Sequence, residues 1–311
     1  MRAARIHRYG PPDVIEIDDL PRPVLGPGEV LVRVAYAGVG PWDALFREHK
    51  SVVRAGLPLT LGSDLSGIVE TLGPGVTSFA PGDRVYGVTN EDFIGAYAEF
   101  AVAQSGRIAR QPESLSFVEA ASAPVVAVTA WQMLFDYAQA ARGQSVLIHG
   151  AGGNVGAYAV QLAAQAGLQV FATASSNDLH YVRDLGASAA IDYKAQPFEN
   201  VVPKVDIVLD TVGGEIRDRS MRIIHPGGIL VSAVPGEVAR SGIDDSVRSV
   251  FFLVDVTTER LDTLTERFDA GRLRPRVGTV VPLDDVRTAH EMLAGAPHKP
   301  GKIVLKIADL A

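Results

Sequence analysis

The chain has 311 residues, 47% hydrophobic and 21% charged, a length at which two domains are the ordinary expectation. Its 29 Lys and Arg stand against 36 Asp and Glu, a net charge of -7 with no basic run, which argues against nucleic-acid or anionic-membrane partners. Zero cysteines remove disulfides, thiolate metal sites and thiol nucleophiles together.

The first residues, "MRAARIHRYGPPDVIEIDD", lack the apolar core of a signal peptide, and no later stretch is long enough to span a bilayer. A cytoplasmic protein without a membrane partner is expected. Residues 1 to about 110 read as short strands: "GEVLVRVAYAGVG", "LSGIVETLG", "DRVYGVT" and "AYAEFAVA", separated by Pro- and Gly-rich turns. That pattern predicts a small barrel or sandwich. The texture changes after Pro112. "SFVEAASAPVVAVTAWQMLFDYAQAA" (116–141) reads as apolar and mostly helical, with Ser116 as N-cap and Glu119 three residues on.

Strands and helices then alternate. "SVLIHG", "QVFATA", "AAIDY", "VDIVLDTVG" and "GGILVSAVP" are spaced by helical patterns at 155–166, 178–185 and 215–224, which predicts a doubly wound parallel sheet. "RPRVGTVVPLDDVRTAHEMLAGAPHKPGKIVLKI" closes the chain as strand, short helix and strand.

Within "VLIHGAGGNVGAYAVQLAAQAG" (146–167), Ala151, Gly153 and Gly156 fit a dinucleotide fingerprint with alanine in the first slot. A strand precedes it and a helix opens at Asn154 and Val155, whose amides are placed to meet a pyrophosphate. An NAD-selecting site usually ends its second strand in Asp or Glu. Here that strand ends in Ser175 and Ser176, and Asp178 reads as a first-turn helix residue, so NADPH is favoured with NADH still bound.

In "PGEVLVRVAYAGVGPWD", "LGSDLSGIVETLGPGV", "PGDRVYG", "APVVAVTAWQML", "HGAGGNVGAYAVQLA", "DTVGG", "PGGILVSAV" and "KPGKIVLKI" the chain resembles, from end to end, the medium-chain dehydrogenase/reductase superfamily and its zinc-independent quinone oxidoreductases. The resemblance implies an α/β protein: a Rossmann domain (117–270) inserted in a GroES-like β-rich catalytic domain made of 1–116 and 271–311. It also implies hydride transfer from NADPH to a small-molecule quinone or α,β-unsaturated carbonyl compound.

Two alternatives stand beside that activity: an enoyl-thioester reductase of the same superfamily, and a nucleotide-binding sensor or structural protein with little catalysis. Many relatives hold a zinc where this chain has Gly40, Ser63 and Asp64; glycine offers no ligand and serine a poor one, so no metal is expected. "AHEMLAG" starts like a zinc-binding HExxH but lacks the second His, and His149 reads as packed or solvated.

The resemblance puts Asp43 in the loop facing the nicotinamide, in a positioning role, against the simpler reading that it caps a helix beginning "ALFREHK". Thr129 is the second such residue, and it also meets the cofactor. Tyr193 matches a tyrosine near the 2′-phosphate, while Leu179 stands where a lysine is often found. Val234 and Phe252 lie in segments whose backbone meets the carboxamide. Arg47 and His49 read as solvated helix residues, and Trp42 as pocket wall or core. The β-rich stretch "VRSVFFLVDVT" (247–257) predicts a homodimer through an apolar sheet edge.

Overall fold

The computed structural model describes residues 1–53, 55–237 and 242–310. Its first strands are β1 (Arg2–Ile6), β2 (Ile15–Asp19), β3 (Glu29–Val39), β4 (Leu59–Thr60), β5 (Asp64–Leu72), β6 (Arg84–Val88), β7 (Phe100–Gln104) and β8 (Ile108–Arg110). The helix α1 (Pro41–Arg47) follows β3. Next come α2 (Phe117–Ala121), α3 (Pro124–Trp131), β9 (Ser145–Ile148), α4 (Asn154–Gln165), β10 (Gln169–Ala174) and α5 (Leu179–Asp184). They are followed by β11 (Ala189–Asp192), β12 (Val205–Asp210), α6 (Gly214–Ser220), β13 (Ile224–Ser232) and β14 (Arg248–Phe251). The chain closes with α7 (Thr258–Asp269), β15 (Val277–Pro282), α8 (Val286–Leu293) and β16 (Lys302–Lys306).

Two compact units emerge, Met1–Val125 with Asp255–Ala311, and Val126–Val254. In the first, a seven-stranded sheet runs β15-β16-β3-β5-β6-β8, with β7 paired to Glu29–Arg33 of β3, and a smaller sheet runs β2-β1-β4. Its core holds Val30, Val32 and Val34 of β3 with Leu65 and Val69 of β5 and Ile303 and Leu305 of β16. The C-terminal strand thus pairs antiparallel with β3, Ile303 opposite Val39.

The second unit is one six-stranded sheet in the order β11-β10-β9-β12-β13-β14, parallel throughout. Strand order reverses between β9 and β12, the switch point outside which open α/β sheets bind ligands. The short apolar runs of β9 and β12 are fully buried because helices cover a parallel sheet on both faces.

The structure shifts one sequence expectation and refines another. The boundaries fall at 125/126 and 254/255, not at 116/117 and 270/271. The unforeseen helix α7 packs with the β-rich unit: Tyr86 donates to Leu261 O at 2.8 Å, and Thr258 Oγ1 to Ile108 O at 2.7 Å. The stretch 116–141 is mostly helical, as its sequence suggests, but in pieces. Ser116 and Glu119 form the expected capping box, but α2 stops at Ala121, α3 restarts at Pro124, and a π-helical turn covers Gln132–Tyr137. Pro124 has no N–H to continue the preceding ladder, so the break falls just before it.

Candidate functional site

In the parallel unit, β9 ends in a glycine turn that delivers the chain to α4. Gly150 adopts φ +69, and Ala151 N–H donates to Thr173 O at 3.0 Å, tying the turn to β10. Gly153 is the N-cap, extended at φ -80 and ψ 173, and no side chain caps it. The first amides of α4, those of Asn154, Val155 and Gly156, are therefore open to a ligand, with the helix dipole behind them. Gly156 is sterically required: a Cβ there would lie 2.3 Å from Gly150 O. These residues fit a dinucleotide pyrophosphate, whose negative charge the cradle of amides matches.

Ser175 and Ser176 follow β10, and Tyr193 follows β11, its N–H donating to Ala174 O at 3.3 Å. The three therefore stand at neighbouring strand ends, as a ribose site requires. Two charges that sequence reasoning left out of this site also lie here. Ser175 Oγ donates to Asp178 Oδ2 at 2.9 Å, and a Cβ on Gly152 would lie 2.9 Å from the Asp178 carboxyl carbon. A carboxylate thus does stand between the strand end and the glycine turn. Lys194 Nζ lies 5.8 Å from the Tyr193 ring. The turn back from the strand end into α5, invisible as a spacing, brings Asp178 into place. Leu179 opens α5, and His180 pairs with Asp184 at 2.8 Å.

Thr129 is buried on α3, and Phe252 is buried with its ring 4.5 Å from that of Tyr137. Val234 follows β13. Its N–H donates to Ser232 Oγ at 3.0 Å, and Ser232 Oγ donates to Asp210 Oδ2 at 2.7 Å. Asp210 also accepts from the N–H groups of Val212 and Gly213, so the ends of β12 and β13 form one fixed frame. His149 is packed, not solvated. Its ring bridges Thr173 Oγ1 (3.0 Å) and Ser220 Oγ (2.8 Å), and burial pushes its pKa down to about 4.

In the β-rich unit, Asp43 is fully enclosed. It does not cap a helix starting at Ala44: α1 starts at Pro41, Gly40 is the N-cap, and Asp43 sits at the third helical position. Its Oδ2 accepts from Gly40 N–H and from Tyr97 Oη, each at 2.8 Å, while Oδ1 has no partner. Burial raises its pKa to about 7. Asp43 holds the Gly40 turn in place from within the protein.

A group with a folded pKa above its unfolded value gives stability at low pH that is lost as pH rises through the folded value. Asp43 should therefore make the protein less stable as pH rises from about 4 to about 7. His149 gives the opposite slope from about 4 to 6.5. In Asp43→Asn only the first slope disappears. Urea unfolding at pH 5 and pH 8 should show the stability of wild type relative to the variant falling with pH; an unchanged difference would refute this.

Around Gly40 the structure shows a set of contacts that the sequence did not reveal. A Cβ on Gly40 would lie 2.3 Å from the Trp42 indole, so the indole fills the space of a residue-40 side chain. Trp42 Nε1 donates to Ser63 Oγ at 3.0 Å, and Lys302 Nζ sits 4.3 Å from the centre of the Trp42 ring. Lys302 also pairs with Asp64 Oδ2 at 2.9 Å, and Val125 N–H donates to Asp64 Oδ1 at 3.1 Å. Burial raises the Asp64 pKa, and the Lys302 charge works against that rise. The lysine comes from the closing strand, some 240 residues away in the chain, which is why no local motif announces it.

Arg47 is buried rather than solvated, bonded to Gly10 O (3.0 Å), His290 Nδ1 (3.0 Å) and Glu48 (2.6 Å). His290, from "AHEMLAG", is thereby a neutral core residue, pushed down to about 3 by burial. His49 packs on Tyr9, ring centres 4.1 Å apart. Among the described residues, the cluster with metal-ligand spacing is His7, Glu16 and Asp18 on the β1–β2 hairpin, where Asp18 already pairs with Arg5 and His7.

Residues 185–305 match the zinc-binding dehydrogenase family, and residues 26–113 match the alcohol dehydrogenase GroES-like domain. The mouse quinone oxidoreductase is 30% identical over 324 residues, covering 98% of this chain and 97% of that protein. The chain belongs to the medium-chain dehydrogenase/reductase superfamily, among its quinone oxidoreductase-like members. The structure of the quinone oxidoreductase from Coxiella burnetii superimposes with a TM-score of 0.91 at 33% identity, covering 99% of both chains. A segment of the spectinabilin polyketide synthase system protein NorB from Streptomyces orinoci is 35% identical over 300 residues, 90% of this chain and 13% of that protein. The protein is therefore an α/β oxidoreductase with a GroES-like domain and a parallel Rossmann-like sheet, of a family that binds nicotinamide dinucleotides. No helix among the described residues is long and apolar enough to cross a membrane.

Proposed function

We propose that this protein is a metal-free reductase that delivers hydride from NADPH or NADH to quinones or α,β-unsaturated carbonyl compounds. The arrangement around Gly40 carries the metal-free reading. Zinc does not fit: the indole occupies the residue-40 space, Ser63 accepts from Trp42, and both Asp64 oxygens are engaged. A divalent cation there would also face the Lys302 ammonium.

The dinucleotide supplies the reducing hydride when bound. The chain's own part is to hold the pyrophosphate on the open amides of α4 and to fix the frame formed by Asp210, Ser232 and Val234. Conjugated acceptors suit a site without a Lewis acid, because the developing negative charge spreads onto a carbonyl oxygen. Asp43 and Thr129 are positioning residues in this reading.

At the ribose end, Asp178 opposes a 2′-phosphate while Lys194 attracts one. This opposition supports binding of NADPH and NADH within about tenfold of each other, a difference of about 1.4 kcal/mol.

The identity with a segment of a polyketide synthase system protein favours a second reading, reduction of an enoyl thioester. A turnover panel of benzoquinones, simple enones and an enoyl thioester separates the two. The first reading expects quinone or enone reduction with the higher kcat/KM, and turnover of the thioester alone would favour the second.

The same reading includes a homodimer. β14 is the last strand of its sheet, with Phe251 at its end 41% exposed and Leu253 just beyond it 58% exposed. Pairing two such edges across a two-fold axis covers both. Light scattering at micromolar concentration should give twice the 33.0 kDa chain mass; a monomer would refute the pairing.

A further inference from the structure

We infer that Arg217 is a positioning residue for the nicotinamide end of the cofactor, acting through the backbone of Val234. The inference rests on the reading that this backbone meets the carboxamide. Arg217 lies on α6, immediately beyond β12, and is buried. Its guanidinium donates through Nη1 to Val234 O at 3.3 Å and through Nη2 to Glu237 O at 2.5 Å. Among the described residues it has no ion pair with a carboxylate, and its Nε has no partner.

A buried cation is costly, and an apolar side chain would fill the same space more cheaply. What the guanidinium adds is a rigid fork, and both prongs grip the segment 234–237. The backbone there is shaped to receive it: Gly236 adopts φ +138, and a Cβ at that position would lie 2.7 Å from Nη2. Val234 is held from the other side as well, since a Cβ on Gly213 would lie 2.8 Å from Val234 Cγ1. The Val234 N–H is given to Ser232 Oγ, and the Val234 carbonyl lies 3.0 Å from that same hydroxyl as well as within reach of Arg217. Arg217 and Ser232 between them fix where that carbonyl points, and with it the backbone at Val234.

The test separates the two ends of the cofactor. Dissociation constants are measured by titration for ADP-ribose, which lacks nicotinamide, and for NADH and NADPH. Arg217→Met leaves no carboxylate stranded, and Gly236→Ala displaces the fork without touching the arginine. Both variants should weaken the reduced cofactors by roughly tenfold, the usual loss for a charge-assisted hydrogen bond, while ADP-ribose affinity stays within about twofold. Arg217→Lys, which keeps the charge but not the fork, should fall between. Parallel loss of ADP-ribose and reduced cofactor in both variants would mark a merely structural role and overturn the inference, as would no loss of either. A wild-type protein that binds ADP-ribose as tightly as the reduced cofactors would instead overturn the carboxamide reading beneath it.

Discussion

Gly153→Val should leave the protein folded and weaken dinucleotide binding by about a hundredfold, or about 2.7 kcal/mol. Gly153 has an ordinary φ of -80, and a Cβ there meets Gly150 O at 3.1 Å and nothing else within 4 Å. The fold therefore tolerates a side chain. The ligand does not, because valine methyls would stand before the open amides of Asn154 and Val155, where a phosphate must approach. Gly156→Val makes the contrasting case. Its Cβ would fall 2.3 Å from Gly150 O and 2.7 Å from Ala151 Cα, so the helix must lift off the turn and the second unit loses stability. Melting temperature together with cofactor Kd distinguishes them. A folded Gly153→Val protein with unchanged affinity would mean that the phosphates lie elsewhere.

Asp178→Ala should raise affinity for NADPH relative to NADH by about tenfold. The substitution removes a carboxylate that repels a 2′-phosphate and that accepts hydrogen bonds from ribose hydroxyls. Ser175 loses its acceptor at the same time, leaving its hydroxyl for the phosphate. Lys194→Ala should move the ratio the other way by a smaller amount, since an exposed lysine is screened by solvent. Ser175→Asp should favour NADH. Fluorescence titration of both cofactors in each variant measures the ratios, and an Asp178→Ala ratio equal to wild type would remove Asp178 from the ribose site.

These residues show where sequence reading works and where it stops. The glycine turn and α4 were legible because local steric rules dictate both the residues and their spacing. The parallel sheet was legible because buried strands between helical patterns leave a regular signature. The Ser116–Glu119 capping box was legible for the same local reason. Asp178 was read as a helix residue because its distance from the strand end is a matter of chain direction, not spacing. Arg47 looked solvated because nothing local shows that α8 brings His290 against it. Lys302 and Arg217 escaped attention altogether, and Trp42 read only as pocket wall or core. Their partners come from distant strands or from backbone carbonyls, and neither leaves a mark in the sequence.

The most direct test of the account is oxidation of NADPH and NADH by the protein after exhaustive chelation, with a benzoquinone and a simple enone as acceptors. Turnover at the same kcat is expected before and after chelation, unchanged when zinc is restored, with metal analysis finding less than stoichiometric zinc in the purified protein. Activity lost on chelation and recovered with zinc would contradict it, as would no turnover with either class of acceptor.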